Sequence, residues 1–271
     1  MDFLPGKKKE KNNLNPNGTT KLPKALKDEF KNMAKSGHVP NYMDFVKKSD
    51  SDLIVERKNP NYDIHEIDLP ARAMVVAPSG TGKTNLITHI LNAFCQGEGT
   101  FATIQIVCGS KDEELYNFLQ RRCPEIVITE GIETLPKLNT ENFPKDQNHL
   151  IILDDLVLEK NQERIKKYYM CCRKFGVSIF YCSQKWTLTP LFIRQNATLD
   201  FLLDLGDDAD VKRILKTMSL GIDKDTLYRV YKEATSQRGQ PLRIDVRERD
   251  INKRFKKGLI GPIKVTDDES I

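Results

Sequence analysis

Residues 77–84 of this 271-residue chain, Ala77-Pro78-Ser79-Gly80-Thr81-Gly82-Lys83-Thr84, hold its densest chemistry. A small residue, four variable positions and then Gly-Lys-Thr is the spacing of a phosphate-binding loop. In such a turn the backbone N–H groups of Gly80 to Thr84 point inward and cradle phosphate oxygens. The N-terminus of the helix that follows adds partial positive charge. Lys83 reaches the β- and γ-phosphates, and the Thr84 hydroxyl ligates Mg²⁺. Ala77 to Asn85 are therefore read as the nucleotide-binding residues, with ATP and Mg²⁺ as ligands. The pattern usually opens on glycine. Ala77 stands there instead, and a small side chain still leaves room for a tight turn. The plain alternative is a glycine turn followed by a surface lysine.

A second constellation is His149-Leu150-Ile151-Ile152-Leu153-Asp154-Asp155. Four apolar residues and then two carboxylates fit a buried strand whose C-terminal end meets a ligand crevice. Asp154 is assigned to Mg²⁺. Asp155 is assigned as the general base that polarises an attacking water. The alternative is a core strand ending in a helix-capping aspartate. Phe201-Leu202-Leu203-Asp204 has the same outline but lacks a second acid, and reads as a core strand.

Further along, the apolar run 177–182 ends in Ser183-Gln184. A polar residue at the end of a strand beside the acidic one can contact the γ-phosphate or the water, and Gln184 has the type and place for that. A surface glutamine is the other reading. Pro190 suits the first turn of a short helix. Arg194 near that helix's end is the candidate arginine finger, acting on a neighbouring subunit's nucleotide. The alternative for Arg194 is a pairing with Asp200 or Asp204, and Arg173 is the reserve finger.

These groups must be carried by a scaffold. Residues 73–77 read as a strand, and the apolar spacing of Leu86, Ile87, Ile90 and Leu91 as the helix after the turn. Strands follow at 103–108, 125–129, 150–153, 177–182 and 199–205, with helices over 111–122 and 162–174. Strands alternating with helices predict an α/β fold, a mostly parallel sheet with helices on both faces. Upstream, 22–34 has the spacing of a short amphipathic helix. Residues 38–62 read as an extended linker and 63–69 as an edge strand. Residues 1–24, rich in Lys, Asn and Pro, read as disordered. The organisation expected is a basic N-terminal segment (1–62), an ATPase core (63–246) and a basic C-terminal tail (247–271).

Composition sets the outer limits. Hydrophobic residues make up 39% and charged residues 30%, with a net charge of +5. No apolar run approaches the roughly 18 residues of a membrane span. The N-terminus lacks the apolar segment of a signal peptide, so secretion is not expected. The six cysteines form no CxxC pair and the four histidines are scattered, so reduced core cysteines are expected and a Cys/His metal site is not. Positive charge gathers at the ends, in Lys7-Lys8-Lys9-Glu10-Lys11 and over 243–257. Basic ends on a neutral core suit a polyanionic partner; the alternative is tails that only solubilise.

APSGTGKT, LIILDD, FYCSQ and LFIRQNA, in this order, resemble the FtsK–HerA superfamily of P-loop ATPases. The resemblance is strongest to its viral genome-packaging branch, the poxvirus-type ATPases with relatives in giant viruses, virophages and polinton-like elements. It spans about 67–246. It implies a RecA-like core in a homo-oligomeric ring that pumps double-stranded DNA into a capsid. It also implies a contact with a capsid or vertex protein, and a location in host cytoplasm or viral factory, or with the virion. Asp155 departs from the pattern, since many such ATPases carry glutamate there. Three rivals remain: a cellular helicase or conjugation motor of the same superfamily, a kinase or GTPase switch, and a structural protein that binds ATP without turnover. A GTPase should carry Asn/Thr-Lys-x-Asp, but Asn252-Lys253 is followed by Arg254-Phe255.

Overall fold

The computed structural model describes residue 22 and residues 24–33, 39, 41–218 and 220–265. The chain divides into two compact units, Met1–Val55 and Glu56–Ile271.

In the first unit the expected amphipathic helix is α1 (Lys24–Met33). The expected linker is instead helical in part, with α2 (Tyr42–Ser49) and a 3₁₀ turn at Ser51–Leu53. Asn41 caps α2, its side chain accepting from the Met43 N–H at 3.2 Å. Phe30 meets Tyr42 and Phe45 edge-on, with centroids 4.7 and 5.8 Å apart. The lysine-rich start and its expected disorder lie outside the described residues.

The second unit opens on α3 (Tyr62–His65), where an edge strand was expected. Asn61 decides the difference. Its side-chain amide donates to the carbonyls of Phe94 and Gln96, both at 2.9 Å, and holds a turn in place. His65 and Ile67 are then buried without strand pairing.

Among the described residues, nine strands follow in one sheet. They are β1 (Arg72–Val76), β2 (Thr103–Cys108), β3 (Ile126–Glu130), β4 (His149–Asp154), β5 (Val177–Ser183), β6 (Leu199–Leu202), β7 (Leu242–Asp245), β8 (Phe255–Lys257) and β9 (Gly261–Pro262). Their spatial order is β3-β2-β4-β5-β1-β6-β7-β8-β9. The six strands β1 to β6 run parallel, and β7 to β9 are antiparallel.

Alternating side chains give the sheet two apolar faces. On one, Val75, Ile106, Ile152 and Phe180 pack with α4 (Lys83–Phe94) and α5 (Glu114–Arg122) through Leu86, Ile90, Phe94, Tyr116 and Leu119. On the other, Val76, Leu153, Tyr181 and Leu202 meet α6 (Gln162–Cys171), α7 (Leu191–Asn196), α8 (Asp208–Lys216) and α9 (Lys224–Ala234). This is the α/β architecture that the sequence predicts. Of the cysteines, Cys108, Cys172 and Cys182 are buried and none is paired. None of the helices is long and apolar enough to cross a membrane, among the described residues.

The sheet also runs past the expected core boundary at 246. The stretch read as a basic tail contributes α10 (Ile251–Arg254), β8 and β9. An arginine of β7, just before that stretch, helps to tie it in. Arg243 is fully buried and donates to the carbonyls of His65, Glu66 and Leu259, tying the entry segment to the last strands. Arg254 likewise donates to the Leu220 and Glu248 carbonyls, and Lys256 pairs with Glu66 at 2.6 Å. Much of the basic run is therefore internal bonding rather than a free cationic surface.

Candidate active site

Because β1, β2, β4 and β5 run parallel and adjoin, the loops after them open at one edge of the sheet. The loop after β1 is the glycine turn. Its carbonyl at Pro78 accepts from the Thr81 N–H and hydroxyl, at 3.1 and 2.7 Å, which closes the turn on itself. Gly82 has φ of 107° and an ideal Cβ there would sit 3.3 Å from the Gly239 Cα, so the position needs glycine twice over. The first helical bond of α4 runs from Leu86 N–H to Gly82 carbonyl at 2.9 Å. The N–H groups of Lys83, Thr84 and Asn85 are thereby left without an intrahelical acceptor. Ala77, Pro78, Ser79, Gly80, Gly82, Lys83, Thr84 and Asn85 line a cleft of about 420 Å³, which Glu113, Asp155 and Gln184 complete. Thr81 is the one turn residue of the predicted set that does not line it.

The two acids reach the same edge from β4. Asp154 is the last residue of the strand and only 2% exposed, and its carboxylate lies 2.8 Å from the Lys83 ammonium. Asp155 follows in a left-handed conformation, φ 55°, which few residues other than glycine adopt. That turn swings its carboxylate back onto Lys83, which donates to it. Gln184 donates to the same carboxylate oxygen, Oδ2, at 2.9 Å. The strand order makes this possible. β5 stands between β4 and β1, with Asp154 in register with Cys182 and Val76 with Ser183. Gln184 therefore leaves the sheet between the phosphate turn and the acids.

Burial pulls Lys83 toward the neutral amine, but the Asp154 and Asp155 carboxylates outweigh it and raise its pKa. Burial pushes the Asp154 carboxyl above the ordinary range, against the pull of Lys83 and Tyr116. The two directions oppose each other as to an ion pair. Two carboxylates flank the ammonium, so Lys83 is a fixed cation. Mg²⁺ characteristically takes one or two protein groups and completes its shell with phosphates and water. A hydroxyl at Thr84 and a carboxylate at Asp154 fit that demand. Among the described residues no His/Cys/Asp/Glu cluster would hold a metal alone.

Three further residues at this edge carried no motif in the sequence. Glu113, which precedes α5, accepts from the Thr84 hydroxyl at 2.9 Å. Tyr116 donates to Asp154 at 2.6 Å. Arg238 donates to the Gly80 carbonyl at 3.1 Å. Only the spacing of Glu113 and Tyr116 at the start of a helix beside the acidic strand could have hinted at the first two.

The two arginines lie elsewhere. Arg194 does not pair with Asp200 or Asp204. Its Nε donates to the Thr189 carbonyl at 3.1 Å and its guanidinium lies 5.6 Å from the Trp186 ring centre. Arg173 is exposed in a 3₁₀ turn that precedes β5, at the sheet edge opposite the glycine turn. Asp204 follows β6, and its carboxylate accepts from the Gly206 N–H at 3.2 Å.

No protein family and no curated protein matches this sequence. Solved structures do. The genome packaging NTPase B204 from Sulfolobus turreted icosahedral virus 2, in complex with ATP-gammaS, is similar over 66% of this chain and 94% of that chain, with 15% identity and a TM-score of 0.50. B204, the DNA-packaging ATPase from Sulfolobus Turreted Icosahedral Virus, is similar at 14% identity over the same shares, with a TM-score of 0.48. Thermomonospora curvata EccC (ATPases 2 and 3) is similar over 74% of this chain and 39% of that chain, with 15% identity and a TM-score of 0.45. At such identity the likeness is one of fold, an α/β RecA-like P-loop fold.

Proposed function

We propose that this chain is an ATPase that drives double-stranded DNA and packages a viral genome into its capsid. The observation that carries the ATPase reading is the convergence of Lys83, Thr84, Asp155 and Gln184 on one cleft from three parallel strand ends, with the Asp154 carboxylate 2.8 Å from the Lys83 ammonium. The fold shared with a genome packaging NTPase, and the motif order of the poxvirus-type branch, support the packaging reading. In it, residues 77–85 hold the triphosphate, and Lys83 neutralises charge on its β- and γ-oxygens. Thr84 and Asp154 hold Mg²⁺, which when bound screens the phosphates. Asp155 takes a proton from water, and Gln184 keeps that carboxylate oriented. Subunits form a ring, and Arg194 of one subunit serves the cleft of the next. Capsid or vertex protein would be the docking partner, in host cytoplasm or viral factory.

The two acids should separate on mutation. Asp155→Asn is expected to keep nucleotide binding and lower the hydrolysis rate about 10²–10⁴-fold, the usual loss for a general base. Asp154→Asn should instead raise the Mg²⁺ concentration needed for half-maximal turnover. Equilibrium binding of a fluorescent ATP analogue, run beside steady-state hydrolysis, distinguishes them. Normal hydrolysis in both variants removes these roles.

DNA engagement is tested by ATP hydrolysis with and without duplex DNA, and by the salt dependence of binding. Each phosphate neutralised should steepen the log–log slope by about −0.9. Arg243, Arg254 and Lys256 are engaged within the fold. The N-terminal lysines should therefore dominate, and deleting 1–24 should shallow the slope. Binding should vary little with sequence, because backbone contacts carry no base information. A rate indifferent to DNA and an absence of salt-dependent binding would refute the translocase reading.

A further inference from the structure

The first turn of α5 touches both groups assigned to the cation. Glu113, the residue preceding α5, accepts the Thr84 hydroxyl proton at 2.9 Å. Tyr116, one helical turn on, donates to Asp154 Oδ2 at 2.6 Å. Glu113 is the N-cap residue of the helix whose first turn carries Tyr116, so one element reaches both Thr84 on α4 and Asp154 on β4. The contacts are chemically matched to the task. A threonine hydroxyl that offers a lone pair to a metal must direct its proton elsewhere, and Glu113 is an acceptor in that direction. The buried Tyr116, 1% exposed, holds Asp154 Oδ2 while the Lys83 ammonium lies 2.8 Å from Oδ1, so the carboxylate is fixed from both sides.

We infer that Glu113 and Tyr116 form the outer coordination shell of the Mg²⁺ site, positioning Thr84 and Asp154 for the cation. The inference rests on the nucleotide reading of the cleft and deepens it. Both are positioning residues. They act through Thr84 and Asp154, and their effect falls on cation affinity rather than on the phosphate cradle. Outer-shell partners of this kind are worth about 10–100-fold in metal affinity or activity.

The test uses the full chain and Mn²⁺ as a paramagnetic substitute for Mg²⁺. Free Mn²⁺ is titrated by electron paramagnetic resonance in the presence of a non-hydrolysable ATP analogue. Glu113→Ala and Tyr116→Phe are each expected to weaken Mn²⁺ binding about tenfold, while affinity for the analogue in EDTA stays as in wild type. Glu113→Gln keeps an acceptor oxygen and should fall between wild type and Glu113→Ala. Adding Glu113→Ala to Thr84→Ala should cost nothing more, whereas Tyr116→Phe should still add to Thr84→Ala. Tyr116→Phe and Glu113→Gln preserve side-chain volume, so the test does not hinge on the alanine variant folding. Mn²⁺ affinity within twofold of wild type in both conservative variants overturns the inference. So does a parallel loss of analogue binding in EDTA, which would assign these residues to the cradle. If the wild-type protein binds neither analogue nor Mn²⁺, the nucleotide reading fails and the inference with it; wild-type binding with unaffected variants fails the inference alone.

Discussion

Lys83→Ala is expected to stop ATP turnover, with kcat/KM lower by at least about 10²–10³-fold, the loss seen when one preorganised donor is removed from a developing charge. The argument begins with what surrounds the ammonium. Lys83 is nearly buried, 9% exposed at its side chain, and contacts both Asp154 and Asp155. Without it the cleft presents two adjacent carboxylates to a polyanionic ligand. Repulsion then acts on binding as well as on the transition state, so both KM and kcat should suffer. A stability cost accompanies this. Removing one member of a buried ion pair costs about 3–5 kcal/mol. Asp155 is 28% exposed and partly screened, so the lower part of that range applies. Lys83→Met, which restores the volume and not the charge, should be equally inactive. Thermal denaturation alongside the assay distinguishes a folded, inactive variant from an unfolded one. Hydrolysis within a few-fold of wild type in folded Lys83→Met would remove the phosphate-loop assignment.

The sequence and the structure agree where a local rule decides. The run 177–182 has no polar alternation, and β5 is buried on both faces as a central parallel strand must be. The glycine turn was legible because Gly82 answers a backbone demand that few residues meet. Asp154 was legible from the apolar run before it. The conformation of Asp155 was not. Nothing in Leu153-Asp154-Asp155 announces φ of 55°, yet that angle brings the carboxylate to Lys83 and Gln184. Glu113 and Tyr116 were missed for a different reason. Their meaning comes from β2 pairing with β4, where partners such as Cys108 and Asp154 lie 46 residues apart in the chain. The end of the core was misjudged because charge was taken as exposure. Arg254 is basic in sequence, yet its guanidinium donates to the Leu220 and Glu248 carbonyls, and Lys256 pairs with Glu66. Likewise the alternation in 63–69 suited a strand, but the Asn61 side chain fixed a helical turn first.

Mixing Lys83→Ala subunits with Arg194→Ala subunits is expected to return ATPase activity that neither has alone. The expectation follows from where α7 runs. β5 ends at the cleft edge, and β6 begins at the opposite edge, where Leu199 is in register with Ala73 and the Thr198 N–H donates to the Arg72 carbonyl at 2.8 Å. The intervening segment must cross the domain from one edge to the other. It does so on the face that carries Trp186 and Ile193, away from α4 and α5. Arg194 lies on that segment and does not line its own cleft. It makes no ion pair among the described residues, and its guanidinium lies against Trp186, held by one bond to Thr189. A cation held in this way on the flank of a domain can meet the cleft of a second copy in a ring. There it would oppose charge growing on the transferred phosphoryl group, a role worth about 10³–10⁵ in rate in other phosphoryl-transfer enzymes. Arg194→Ala alone should therefore bind nucleotide normally and hydrolyse it far more slowly. In a mixed ring, some interfaces join an intact phosphate turn on one subunit to an intact arginine on the next, and only those interfaces turn over. Activity should peak near equal proportions and vanish toward either pure variant. Co-assembly is verified by pulling down one tagged variant with the other. If co-assembled subunits stay inactive, Arg194 does not act in trans. Arg173, at the opposite edge of the sheet from its own glycine turn, is then the arginine to pair with Lys83→Ala in the same experiment.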